Sequence, residues 1–291
     1  MQTKQFGPKA LKFKALQDFA IIVQSGTPSE ALQALQALQS NPLFMGKAWK
    51  ANFAKLKRAM LTDNPEFSIF GLSGNSKLPF VSFSTLPGVT CPGAGKCLEF
   101  CYSFRAWRYP AAFARMAQNA YFMRFNRYAI SREFDHIVAK RPEGFDFRLY
   151  VDGDFASVGD LHFWMCHIKA APMVRAYGYS KSFAILLGYD AAGHEWPKNY
   201  MLNLSSGHNA TPMMLNYVKA LPIVRGEFIA VSIGKKVKSS DHGKPETNKA
   251  LREVFGQKAF TCPGTCGNCT GAGHACGMPK LKGLPIIIAM H

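Results

Sequence analysis

The sequence predicts an α/β fold whose core is a mostly parallel sheet, open or closed into a partial barrel. Three observations predict it. Short β-rich runs alternate with longer helical patterns from residue 80 to residue 233, the signature of β–α–β units. Each run ends in a polar, often glycine-bearing segment, and in parallel sheets ligands sit at those carboxyl ends. Hydrophobic residues make up 48% of the 291-residue chain, enough to bury a core and to exclude wholesale disorder.

The first 60 residues read as helical. Thr27-Pro28-Ser29-Glu30 is a capping-box start, because the Thr hydroxyl and the Glu carboxylate can each satisfy a free amide. Ala-Leu-Gln triplets follow over 31–39, and that helix is expected to end near Asn41-Pro42. A second helix, about Ala48 to Leu61, sets Lys50, Lys55, Lys57 and Arg58 beside the apolar Trp49, Phe53, Leu56 and Met60. The alternation from Phe80 to Leu86 predicts a strand leading into a cysteine loop. Pro110 to Lys140 reads as one or two helices, and about Val158 to Ala170 as another. Further strands are expected at Phe147–Val151, Val174–Tyr179, Tyr200–Leu204 and Phe228–Ile233. Three regions result: a basic helical region (1–70), an α/β core (71–258) and a cysteine-rich C-terminal segment packing on it (259–291).

Lys plus Arg total 35 against 18 acidic residues, a formal net charge of +17. That excess favours a polyanionic partner over a cationic ligand. The excess is uneven: residues 1–60, 91–141 and 234–291 carry +7, +6 and +6, and the stretches between are slightly negative. Two of the three basic blocks contain the cysteine clusters. Nucleic-acid phosphates running close to metal centres are therefore the expected partner, with Phe104, Trp107 and Tyr109 as stacking candidates. No apolar run approaches the length of a membrane helix, and no secretory pattern is evident at the start, so a soluble, cytoplasmic protein is expected.

Seven of the eight cysteines fall into two tight clusters, which in a reducing compartment mark metal sites more often than disulfides. Cys91, Cys97 and Cys101 have spacings that suit three irons of a [4Fe–4S] cluster with the fourth left open, or three of zinc's four ligands. Lys96 would favour their thiolate form. Cys262, Cys266, Cys269 and Cys276 lie among Gly, Pro and Thr, so a metal would supply the local folding energy. Composition leaves a second [4Fe–4S] cluster and a structural zinc both open there, with His274 as an alternative ligand, and does not say whether the two groups share one centre. Cys166 reads as a buried helix thiol.

Three polar strand ends complete the candidates. Asp152-Gly153-Asp154 places two carboxylates where a cation, ribose or amino group could bind; a helix cap with a turn is the plainer reading. Ser180-Lys181-Ser182 could clamp a carboxylate or phosphate, or form a surface turn. Asn203, Ser205, Ser206 and His208 make a third polar edge. Asp152, Asp154 and Lys181 are the candidate catalytic groups; Gly153, Ser180, Ser182, Asn203 and Ser205 join them as candidate cofactor contacts.

The segment from Ser82-Phe83-Ser84-Thr85-Leu86-Pro87 to Cys101-Tyr102 resembles the phage and plasmid gene product 88 family. So do Leu149 to Phe155, Tyr177 to Ser182 and the terminal cysteine group, a likeness covering roughly residues 70–280. It implies a mobile-element origin and cysteine-ligated metal. The order of elements also resembles a radical S-adenosylmethionine (SAM) enzyme. By that likeness Cys91, Cys97 and Cys101 would hold the catalytic cluster, and Asp152-Gly153-Asp154 would stand at the SAM amino group. The loop departs from that pattern, with five and three residues between cysteines instead of three and two, and without paired glycines in the acidic motif. Cys262, Cys266 and Cys269 have the three-and-two spacing but follow the last expected strand. The expectation is an iron–sulfur protein that binds nucleic acid, with a radical SAM-like enzyme and a zinc-stabilised interaction protein as alternatives.

Overall fold

The computed structural model describes residues 8–72, 80–99, 101–235, 237–267, 269–270 and 273–290. Helices α1 (Pro8–Ser25), α2 (Pro28–Ser40) and α3 (Lys47–Thr62) come first, and their apolar faces join the main core through Phe19, Val23, Leu35, Phe53 and Leu56. The capping box forms: the Glu30 amide donates to Thr27 Oγ1 at 3.3 Å, and the Thr27 amide to Glu30 Oε2 at 2.7 Å. Asn41 closes α2 and caps the next turn through the Leu43 amide, so the helix stops where the sequence places its end.

A sheet of seven parallel strands follows, in the order β1-β2-β3-β4-β5-β7-β6, and it stays open. Its strands are β1 (Val81–Ser82), β2 (Asp146–Leu149), β3 (Arg175–Ser180), β4 (Tyr200–Ser205), β5 (Val224–Val231), β6 (Phe260–Thr261) and β7 (Ile286–Ala289). Between them run α4 (Pro110–Phe125), α5 (Arg127–Ala139), α6 (Val158–Ala170), α7 (Phe183–Ala191), α8 (Pro212–Lys219) and α9 (Pro245–Phe255). Because every pairing is parallel, all carboxyl ends lie on one edge, and the loops that leave them meet there. Phe83, Phe134, Phe147 and Trp164 pack ring on ring between the sheet and α5 and α6.

Several expectations change in detail. The first strand is short, although its ladder continues: Phe83 N donates to Arg148 O, Val151 N to Phe83 O and Thr85 N to Asp152 O. The strand expected at Phe228 begins four residues earlier and ends at Val231, because Arg225 is buried inside it instead of marking a turn. The short apolar run near the C-terminus is β7, seated between β5 and β6. Trp107 is 1% exposed and Phe104 leans on the core beside it, so only Tyr109 of the three stacking candidates faces solvent. Cys166 is exposed on α6, where it bonds His162 at 3.5 Å, because it falls on the solvent side of that helix. Among the described residues no helix is long and apolar enough to cross a membrane.

Candidate functional site

The carboxyl edge of the sheet encloses a cavity of about 470 Å³. Cys91, Cys97 and Cys101 line one side, and Cys262 and Cys266 another. Gly153 and Asp154 after β2, Ser180 and Lys181 at β3, and Ser205 and Ser206 at β4 enter it too, with Arg148, Tyr179 and Phe228. The loop between Pro87 and Cys101 is fixed there by its backbone. Gly95 N and Cys97 N donate to Gly207 O, Asn209 N donates to Gly93 O, and Ala94 bridges His208. A Cβ at Gly93 would fall on the Lys181 carbonyl, so only glycine lets the loop lie against the end of β3. Gly153 has φ +85°, and a Cβ there would strike the Thr85 hydroxyl.

The Asp-Gly-Asp motif divides its labour. Asp154 is buried and holds backbone: Oδ1 accepts from Phe155 N at 2.8 Å and Oδ2 from Lys181 N at 2.7 Å. Burial raises its pKa, and those amides work in the opposite direction. Asp152 sits outside the cavity lining and accepts from Ser84 Oγ at 3.3 Å; burial raises its pKa too, against Ser103 and Arg148. Lys181 donates from Nζ to Ser205 Oγ at 2.8 Å. Among the described residues no carboxylate pairs with it, so its charge is offered to the cavity.

The remaining candidates differ in what holds them. Ser206 Oγ is tied to the Ala230 amide, and the Ser180 hydroxyl accepts from Ser182 N. Ser182 is buried with its hydroxyl unpartnered. Asn203 is fully buried; its amide donates to Gly178 O and Cys276 O, and its Oδ1 accepts from Arg225 Nε at 2.6 Å. It belongs to the ground beneath the terminal cysteines. His274 Nε2 lies 3.7 Å from Asp146, its Nδ1 accepts from Gly277 N at 3.1 Å, and its ring packs against Tyr177 and Phe80.

All eight cysteines are free of disulfides. Burial pushes Cys91 up to about 12 and the nearby Asp154 charge adds to this; the Gly88 amide region and Lys181 oppose it without prevailing. Burial likewise pushes Cys262 to about 12 and Cys276 to about 11, against the Gly264 amide and the Tyr179 hydroxyl. Among the described residues no group of three or more His, Cys, Asp or Glu side chains is arranged to hold a metal ion. The free thiols are nonetheless donors of the kind that a thiophilic metal takes. Each terminal sulfur already accepts a hydrogen bond: Cys262 from Gly264 N, Cys266 from Arg148 Nη1, Cys269 from Ala275 N and Cys276 from Tyr179 OH. Hydrogen bonds onto sulfur favour thiolate and are how proteins tune thiolate-bound centres.

A protein-family model, gene product 88, matches residues 50–278. The chain belongs to the gene product 88 family. The match takes in the pinned loop, both cysteine groups and the cavity lining except Ile288 and Ala289 of β7, and leaves α1 and α2 outside. No curated protein and no solved structure matches the chain.

Sequence reasoning passed over Arg148 and Arg225, and it read Ser205, Ser206 and His208 as a polar edge without the backbone contacts by which Gly207 and His208 pin the first cysteine loop. The signal for the arginines was a charge inside an apolar strand pattern, Phe147-Arg148-Leu149 and Val224-Arg225.

Proposed function

We propose that the protein is an iron–sulfur enzyme of radical SAM-like type whose macromolecular partner is a nucleic acid. Cys91, Cys97 and Cys101 would hold a [4Fe–4S] cluster with one iron open, and the cavity would take a small cofactor of the SAM class. One observation carries this reading: the three-cysteine loop and the polar ends of β2, β3 and β4 share a single cavity. A protein that only bound nucleic acid would need a surface, and would have no use for a concave site lined by thiols and a lysine.

When bound, a cubane with an open iron supplies a site for ligand coordination and electron transfer. The chain's own residues do the rest. Lys181, steadied by Ser205, presents a cation to a carboxylate or phosphate. Asp154 keeps the Lys181 backbone in place, and Tyr179, Phe228 and Ile288 give the cavity apolar walls.

The nucleic-acid partner is supported by the exposed side chains that follow the first cysteines. Lys96, Tyr102, Arg105, Arg108 and Tyr109 are all exposed on this short stretch, and Tyr102 also lines the cavity. Cations interleaved with aromatic rings suit a phosphate backbone with unstacked bases.

The deciding experiment is anaerobic purification and reconstitution with iron and sulfide, followed by metal analysis and electron paramagnetic resonance with and without SAM. A brown protein is expected whose spectrum changes on adding SAM, and Cys97→Ala should lose that change. A colourless protein that takes only zinc would overturn the reading.

A further inference from the structure

Among the described residues two permanent cations, Arg148 and Lys181, line the cavity, and neither makes an ion pair. Lys181, steadied by Ser205, serves the small cofactor in the reading above. Arg148, on β2, is left over. Its guanidinium lies over the Tyr179 ring at 4.9 Å, points Nη1 at Cys266 Sγ from 3.8 Å and bonds the Tyr102 hydroxyl. Its Nε is buried without a partner, and Asp152 lies only within longer electrostatic range. A guanidinium withdrawn from water without its opposite charge is costly to hold. An anion carried in by a ligand relieves that cost, and the planar fork matches a phosphate or carboxylate.

The way into the cavity tells which anion. Leu98 and Tyr102 both line it and are 43% and 49% exposed, so its mouth opens on the stretch that carries them. Lys96, Arg105, Arg108 and Tyr109 are exposed on that same stretch. Tyr102 belongs to both places: its ring stands among the surface cations, and its hydroxyl reaches Arg148. Positive charge thus continues from the surface through the mouth to the interior. We propose that the cavity takes a nucleoside phosphate, one nucleotide of a single-stranded nucleic acid, with its phosphate on Arg148 and its base against Tyr102. A space of about 470 Å³ admits one unstacked nucleotide, whereas a duplex keeps its bases paired and stays outside. The phosphates on either side remain with Arg105 and Arg108. This rests on the nucleic-acid partner of the proposed function and names the part of it that reaches the cavity. It does not depend on the iron–sulfur cluster.

The test uses the full chain and fluorescence anisotropy of a labelled single-stranded oligonucleotide, of the same sequence as a duplex, and with an unlabelled 5′-mononucleotide as competitor. The single strand should bind about tenfold more tightly than the duplex, which would have to unpair to enter. The mononucleotide should bind about a hundredfold more weakly than the strand, because it has no neighbouring phosphates for Arg105 and Arg108. Arg148→Met should weaken the single strand about tenfold, the worth of a charge-assisted contact, and move the duplex by less than about twofold. Arg148→Lys should recover part of that loss. Circular dichroism establishes that each variant is folded. Should Arg148→Met fail to fold, Tyr102→Ala, at a half-exposed position, carries the same test with the same selectivity expected. The proposal alone is overturned if the parent binds the strand and the folded variants bind it equally well. Single strand and duplex weakened alike, or a mononucleotide as tight as the strand, overturn it too. A parent that binds neither strand nor duplex removes the nucleic-acid partner itself, and this proposal with it.

Discussion

Asp154 spends both carboxylate oxygens on backbone amides, one in its own turn and one at the start of the segment after β3. Asn at this position can accept through one oxygen only and would turn its amide group against an N–H. Asp154→Asn should therefore lower stability by about 1–3 kcal/mol, the cost of a buried donor left unmade, read as a shifted urea midpoint. A midpoint equal to the parent's would mean that the carboxylate serves the cavity instead of the loop. The Asp-Gly-Asp motif was legible in the sequence because its glycine and two acids stand together. Which acid would be a clamp was not, since that depends on Lys181, a residue 27 positions away. Arg148 and Arg225 were illegible for a related reason. A charge in a strand pattern reads as a solvent-facing position, and only partners distant in sequence, Cys266 for Arg148 and Asn203, Leu281 and Leu284 for Arg225, show that these two are held by the protein.

At the scale of elements, local chemistry was readable and distant pairing was not. The capping box at Thr27 needs four consecutive residues and forms as its spacing dictates. β7 needs partners some 25 and 60 residues back, β6 and β5, so an isolated Ile-rich run gave no hint of its place inside the sheet. Gly226 masked the start of β5 in the same way, because a glycine in a strand pattern reads as a turn or bulge when taken alone. The cap also yields a prediction. Thr27→Ala should cost about 1 kcal/mol of stability, the usual worth of an N-cap side chain. The Thr27 amide and then its hydroxyl hold the Glu30 pKa below its ordinary value. A carboxylate depressed in the fold contributes stability above its unfolded pKa and loses it as pH falls through the folded one. Thermal melts of the parent and of Glu30→Gln should therefore differ at neutral pH and converge in acid, where the parent carboxylate is protonated. A gap that persists unchanged into acid would refute the cap as the source.

For the whole molecule, the +17 charge matters through where the fold sets it. Trp107 is locked among Phe13 of α1, Phe104 and Phe113 of α4, with ring centroids 5.2 to 5.3 Å away. This anchor holds the turn Tyr102–Arg108 so that Arg105 and Arg108 face outward while its aromatic side faces the core. Helix α1, outside the region matched by the family, thus braces a segment that begins immediately after Cys101. If the proposed nucleic-acid track runs here, each arginine meets a phosphate, and releasing its counterion sets the salt dependence. On single strands each such contact contributes about 0.7 to the slope of log affinity against log salt. Arg105→Glu with Arg108→Glu should therefore flatten that slope by about 1.4 and weaken binding most at low salt. Both side chains are exposed, so melting temperature and metal content should stay at the parent's values. A control pair elsewhere, Lys55→Glu with Lys57→Glu on α3, separates position from bulk charge, because it removes as much charge overall. Equal losses from the two pairs would mean that the protein attracts polyanions only through its total charge, and that no track passes the cysteine loop.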